Sequence, residues 1–117
     1  YDLAFFAGVL HHIAPEKRHE ILVGVVDRLR VGGKLVAIEH NPWNPMTRWV
    51  VDRCPFDKDA VLLAAPETLA LFDQLALHKL QNRYIVFFPN FARFLRSLES
   101  HLGWCPLGAQ YMLIGVK

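Results

Sequence analysis

Two short runs hold most of the side chains in this sequence with the means to do chemistry. One is Val9-Leu10-His11-His12, just ahead of a proline; the other is Glu39-His40-Asn41, followed by Pro42 and Trp43. Histidine changes charge near neutral pH, so His12 and His40 can take up or release a proton, and a carboxylate such as Glu39 can do the same or orient a ring. These three are the candidate catalytic residues. Each also has a plain structural role open to it. His12 can tie its turn to the next helix, Glu39 can be a satisfied strand-end carboxylate, and His40 and Asn41 can cap a loop. Trp43, Arg48 and Trp49 either line a ligand pocket or cover the sheet. No metal site is expected: adjacent residues such as His11 and His12 should point different ways, and no Cys or carboxylate cluster completes a ligand set. Cys54 and Cys105 have no base beside them in the sequence, so neither is expected to act as a nucleophile.

The elements that position these runs follow from hydrophobic spacing. Residues 2–7, DLAFFA, are a short apolar run ending at Gly8, as in a strand buried on both faces of a parallel sheet. Pro15 suits a first helical turn, and Ile21, Leu22, Val25, Val26 and Leu29 form a one-sided stripe over 16–30. Gly32-Gly33 ends that helix, and 34–39, KLVAIE, read as a second strand, completing a βαβ unit with parallel strands. HNPWNP at 40–45 is a loop. A short helix is expected over 46–53, and irregular chain over 54–59. Another helix should open at Pro66, with Leu69, Phe72, Leu75 and Ala76 inward. RYIVFF, 83–88, reads as a third strand. Asn90 is a candidate N-cap for a helix over 91–102 with Phe91, Phe94, Leu95, Leu98 and Leu102 as its core stripe. Residues 108–116 make a last strand. The sum is an α/β sandwich in one domain, 1–117.

Composition narrows the function classes. The chain has 117 residues, 53% hydrophobic and 21% charged, enough apolar content to bury a core. A net charge of +2, with Lys and Arg scattered, gives no reason to expect nucleic acid as a partner. No apolar stretch is long enough for a membrane span, and there is no signal peptide. Two cysteines fit free thiols in a cytoplasmic protein better than a disulfide scaffold.

Taken together, YDLAFFAGVLHHI, then a helix, then LRVGGKLVAIEHNPWNP, resembles the second half of a class I S-adenosylmethionine-dependent methyltransferase. RYIVFFP resembles the sixth strand of that fold and GAQYMLIGVK its antiparallel seventh. The resemblance implies a partial Rossmann-like sandwich, a mostly parallel sheet with an antiparallel last strand, in the family order 3-2-1-4-5-7-6. It implies S-adenosylmethionine as cofactor, touched by Ala7, Gly8, Val9 and His12, with His12 near the methyl group. Ligands of such sheets bind beyond the carboxyl ends of the strands, where Glu39, His40, Asn41 and Gln110 lie. Asn41, Trp43, Arg48 and Gln110 are then candidates for contact with a small-molecule methyl acceptor. The family's Gly-rich turn and ribose-binding acidic residue have no counterpart here, since Gly32-Gly33 lies between helix and strand. The chain is therefore expected to be the carboxyl-terminal half of a longer enzyme, inactive alone. The alternative is a binding or assembly module of the same fold. With strand one missing, residues 2–7 would form a bare edge, and self-association through that edge is expected.

Overall fold

A computed structural model describes all residues, Tyr1–Lys117. The chain opens with β1 (Leu3–Ala7), a short 3-10 turn (Leu10–His12), α1 (Pro15–Asp27) and β2 (Lys34–His40). β1 and β2 are parallel, with Leu3 opposite Lys34 and Ala7 opposite Ile38. This is the βαβ unit expected from the spacing. Pro15 occupies the first turn of α1, where its missing N–H is no loss. At the tight turn into β2, a Cβ on Gly33 would lie 2.8 Å from the Arg30 carbonyl oxygen, so only glycine fits.

Then come α2 (Pro45–Val51), a 3-10 turn (Pro55–Asp57), α3 (Ala65–Asp73), β3 (His78–Ile85), a 3-10 run (Asn90–His101) and β4 (Gln110–Val116). The Asn44 side chain caps α2 by accepting from the Thr47 N–H. At the start of α3 the Glu67 carboxylate reaches back to the Ala64 N–H at 2.6 Å, half of a capping box. The sheet order is β1-β2-β4-β3, and β4 is antiparallel to both neighbours. Three strands thus run one way and the last in sequence runs against them. That is the order 4-5-7-6 implied by the resemblance.

The core lies on one sheet face. Leu22 and Val26 of α1 and Phe72 of α3 pack with Leu35 and Ala37 of β2 and Leu113 of β4. Burial alternates along β2 and β4, and along β1 the residues Leu3 and Phe5 stand 54% and 66% exposed. The strands are therefore not buried on both faces, as their composition suggests. The helices that cover the core sit on the face of Leu35 and Ala37, leaving the opposite face half open.

Further expectations are corrected. β3 spans His78–Ile85, not 83–88: Lys79 takes a positive φ at a bulge, and Val86 takes φ 59°, which ends the strand. The stripe from Phe91 to Leu102 is not a core helix. It is a 3-10 run broken at Ala92, with no buried residue, and Phe91 and Phe94 are 85% and 76% exposed. Three residues per turn spread an apolar set spaced for 3.6 around the axis, so it presents no single face to bury. Asn90 does not cap it; its side-chain Oδ1 accepts from Arg96 Nη2 instead. In α3, Leu69 and Phe72 point inward, whereas Ala76 lies past the helix and is exposed.

Candidate functional site at the carboxyl ends of the strands

The site begins where β1 ends. Gly8 turns the chain with φ +63°, a conformation side chains rarely adopt, and its N–H still donates to Ile38 O. The next two N–H groups, of Val9 and Leu10, point inward and donate to Glu39 Oε1 at 3.0 and 2.8 Å. The other Glu39 oxygen, Oε2, lies 2.5 Å from His11 Nδ1. Glu39 and His11 are 1% and 2% exposed, so this is a buried pair. With Oε1 already accepting from two backbone donors, Nδ1 is the donor of the last bond, which fixes the His11 tautomer.

Behind the turn, Arg18 of α1 is also buried. Its Nε donates to the carbonyls of Leu10 and Ile13, and Nη2 donates to Val61 O at 2.7 Å. Val61 N–H donates in turn to His11 O at 2.8 Å. The loop before α3 is thereby laced to the histidine turn. That lacing sets Asp57 against both rings: its Oδ1 is 3.5 Å from His11 Nε2 and 3.3 Å from His12 Nε2. The Cys54 thiol hydrogen-bonded to Asp57, with His11, His40 and His12 nearby, holds the Asp57 carboxyl below its ordinary range. Adjacent His11 and His12 therefore do not diverge; their ring centroids are 4.2 Å apart and both lean over one carboxylate.

His40, at the end of β2, lies with its ring centroid 5.1 Å from that of His11, the two planes tilted by 42°. Burial, then the neighbouring His11, lowers its pKa, so its ring is neutral at pH 7. It lines a cleft of about 260 Å³ with Met46, Thr47, Val50, Val86 and Gln110 among the walls. His40 and Gln110 are cross-strand partners, so the β2–β4 pairing itself puts both at this mouth. Val86 enters the wall with its β-branched side chain on a left-handed backbone, a form held by surrounding structure. A second, more polar hollow holds Arg48, Asp57 and Lys58, and Val51 of α2 borders both.

The other expected site residues divide. Ala7 is exposed and Val9 is 40% exposed, so with Gly8 they form a bare rim. His12 is half-exposed on the Asp57 side. Glu39 is fully enclosed and reaches ligands only through His11 and the turn. Asn41 is a loop lock rather than an open contact: its Nδ2 donates to Pro106 O and Gly108 O, both at 2.8 Å, and its Oδ1 accepts from Trp43 N–H. It is fully buried, which leaves no side-chain polar atom for a substrate. Trp43 is 51% exposed. Trp49 is 57% exposed and carries the Arg53 guanidinium 4.3 Å above its ring. His11, Arg18 and Asp57 are the parts that sequence reasoning missed. An arginine in a helical first turn reads as surface, and Asp57 lies far along the chain from the pair it meets.

No protein-family model matches the chain, and no curated protein matches it. Solved structures do. A SAM-dependent methyltransferase from Archaeoglobus fulgidus superposes with a TM-score of 0.74 at 16% identity, over 99% of this chain and 59% of that one. A SAM-dependent methyltransferase from Thermotoga maritima, described as a possible histamine N-methyltransferase, gives 0.72 at 15% identity, over 99% of this chain and 56% of that one. This chain thus spans under two thirds of the length of either. Its strand order, its direction reversal at β4 and these superpositions agree: the chain has the class I SAM-dependent methyltransferase fold, over part of that fold's length.

Proposed function

We propose that this chain is the carboxyl-terminal part of an enzyme that transfers a methyl group from S-adenosylmethionine to a small-molecule acceptor. The observation that carries this reading is the shared edge of the sheet. There the Gly8 turn ends β1, and His40 and Gln110 line an apolar cleft in a sheet of methyltransferase order. The rim fits the cofactor: Ala7 and Gly8 offer backbone with almost no side chain, and a Cβ on Gly8 would meet nothing nearer than His11 at 3.6 Å. When bound, the cofactor supplies an electrophilic methyl carbon on a sulfonium. The chain's own residues hold the acceptor and take its proton. Met46, Val50 and Val86 give the cleft apolar walls, which suit an apolar acceptor, and Gln110 offers it a hydrogen bond. The neutral His40 ring is the base within the cleft, and His12 borders the cofactor side. The residues that grip the nucleoside belong to a preceding half of the enzyme, in keeping with the resemblance.

Titration calorimetry with S-adenosylhomocysteine, on the longer gene product and on the 117-residue chain, tests this. Saturable binding by the longer protein, weakened by Gly8→Val, supports the reading. No binding by the longer protein overturns it.

A second reading, a non-catalytic assembly module, has one observation in its favour. Phe56, Phe91, Phe94 and Trp104 are all more than 75% exposed, an unusual amount of bare aromatic surface for a free-standing enzyme. A longer protein that neither binds the cofactor product nor methylates, yet forms a defined complex, would favour that reading.

A further inference from the structure

We propose that His11, His12 and Asp57 form a binding site for a zinc-class divalent metal ion. The site is separate from the apolar cleft and stands independently of the methyl-transfer reading. Its ligand atoms are two imidazole Nε2 atoms and one carboxylate Oδ1, all within 4.8 Å of one another. An ion about 2.0–2.1 Å from each ligand in a tetrahedron sets neighbouring ligand atoms about 3.3–3.4 Å apart. The two measured edges from Asp57 Oδ1 are 3.3 Å to His12 and 3.5 Å to His11. Two imidazoles and one carboxylate are a set that zinc accepts, with a water in the fourth position.

Two features make this more than a chance meeting of polar groups. The first is the tautomer of His11. Its Nδ1–H is committed to Glu39 Oε2 at 2.5 Å, so in the neutral ring Nε2 carries its lone pair toward Asp57. A histidine that ligates a metal through one nitrogen usually donates the other N–H to a carboxylate or carbonyl, which orients the ring and raises its basicity. Glu39 supplies that partner, and is itself fixed by the backbone N–H groups of Val9 and Leu10. Without a proton or a cation between them, the Nε2 lone pair and the Asp57 oxygen face each other as two acceptors. The second feature is preorganisation. Asp57 sits in a turn closed by its own N–H to Cys54 O and by Ala60 N–H to its carbonyl, and Val61 pins that turn to His11 O. Side-chain atoms held in this way lose little freedom on binding an ion. Asp57 also borders the hollow that holds Arg48 and Lys58, so the water position is open to an anionic or hydroxyl-bearing ligand.

The test is calorimetric titration of the metal-stripped protein with zinc chloride, followed by cobalt(II) substitution and visible absorption. The expected result is one ion per chain and the intense visible bands of tetrahedral cobalt. Asp57→Asn and His12→Ala should each weaken binding at least tenfold while leaving the circular dichroism spectrum unchanged. Glu39→Gln should weaken it by about 10–100-fold, because the Gln amide donates and turns His11 to the tautomer with Nε2–H. His78→Ala and His101→Ala, at exposed histidines elsewhere, should change nothing. No saturable binding overturns the proposal. So does binding that survives both Asp57→Asn and His12→Ala, or a weak octahedral cobalt spectrum, either of which marks adventitious capture by surface histidines.

Discussion

Replacing Glu39 by Ala should be among the most damaging single changes available in this chain. The side chain is 1% exposed and accepts three hydrogen bonds, from Val9 N–H, Leu10 N–H and His11 Nδ1–H. Alanine removes every acceptor and leaves three donors, of which those of Leu10 and His11 are buried. Each orphaned buried donor costs about 1–3 kcal/mol. A water entering the vacated space would restore part of this, so the net loss is about 3–5 kcal/mol. A domain of this size has about 5–15 kcal/mol in all. With a urea slope of about 1–3 kcal/mol per molar, the midpoint should fall by about 2 M. The readout is far-UV circular dichroism, because Trp43, Trp49 and Trp104 are all exposed and report poorly on unfolding by fluorescence. Glu39→Gln keeps an acceptor for the two backbone donors and forces only the His11 tautomer to change, so it should lose under half as much. A Glu39→Ala protein that loses less than about 1 kcal/mol at unchanged slope would refute the view that this carboxylate holds the turn.

Other outcomes follow from neighbouring contacts. Arg18→Lys keeps the charge but loses the fork that reaches Leu10 O, Ile13 O and Val61 O, and should destabilise by about 2–3 kcal/mol in the same urea assay. Tyr111→Phe removes a buried hydroxyl paired with Thr68 at 2.6 Å and with Leu63 O at 3.1 Å, and should cost about 1–3 kcal/mol. Burial raises the Tyr111 pKa above its ordinary 10.0. The stability contributed by keeping this phenol neutral is therefore full below pH 10 and declines as pH rises past it, so the gap between parent and Tyr111→Phe should narrow in alkaline melts. β1 pairs with β2 alone, and Phe5 stands exposed beside that open edge. The chain should self-associate through it, and Phe5→Lys should return it to monomer by sedimentation velocity.

Legibility in the sequence tracked locality. The βαβ unit was readable because its cues are adjacent: a proline at the helix start, a stripe of period 3.6, and a double glycine before an apolar strand. The carboxyl-edge location of Gly8, Glu39, His40 and Gln110 followed from that topology. What escaped was non-local or ran against residue type. The Glu39–His11 bond joins residues 28 apart, and Glu39's other partners are backbone N–H groups, which leave no mark in a sequence. Arg18 satisfies its guanidinium on three carbonyls from two separate segments, so burial contradicts its ordinary preference. The Phe91–Leu98 stripe has helical spacing, yet spacing says nothing about whether a surface exists to receive it. Asn41 has the polarity of a ligand contact, but its amide is consumed by Pro106 and Gly108, more than sixty residues away.

The placement of β4 bears on how the molecule is made. It follows every other strand in the chain, yet lies between β2 and β3 and supplies pairing to both. During synthesis β1, α1 and β2 can assemble early as a local unit. β3 then waits without any strand beside it until residues 110–116 have left the ribosome. Until that moment the inner side of β2 is an open apolar margin, available to whatever extended chain is near. Closure is a late, long-range event, the kind that slows folding and lengthens exposure to aggregation. Shortening β4 by a few residues would strip two interfaces at once, and nascent chains stalled before Gln110 are the form that chaperones would need to hold.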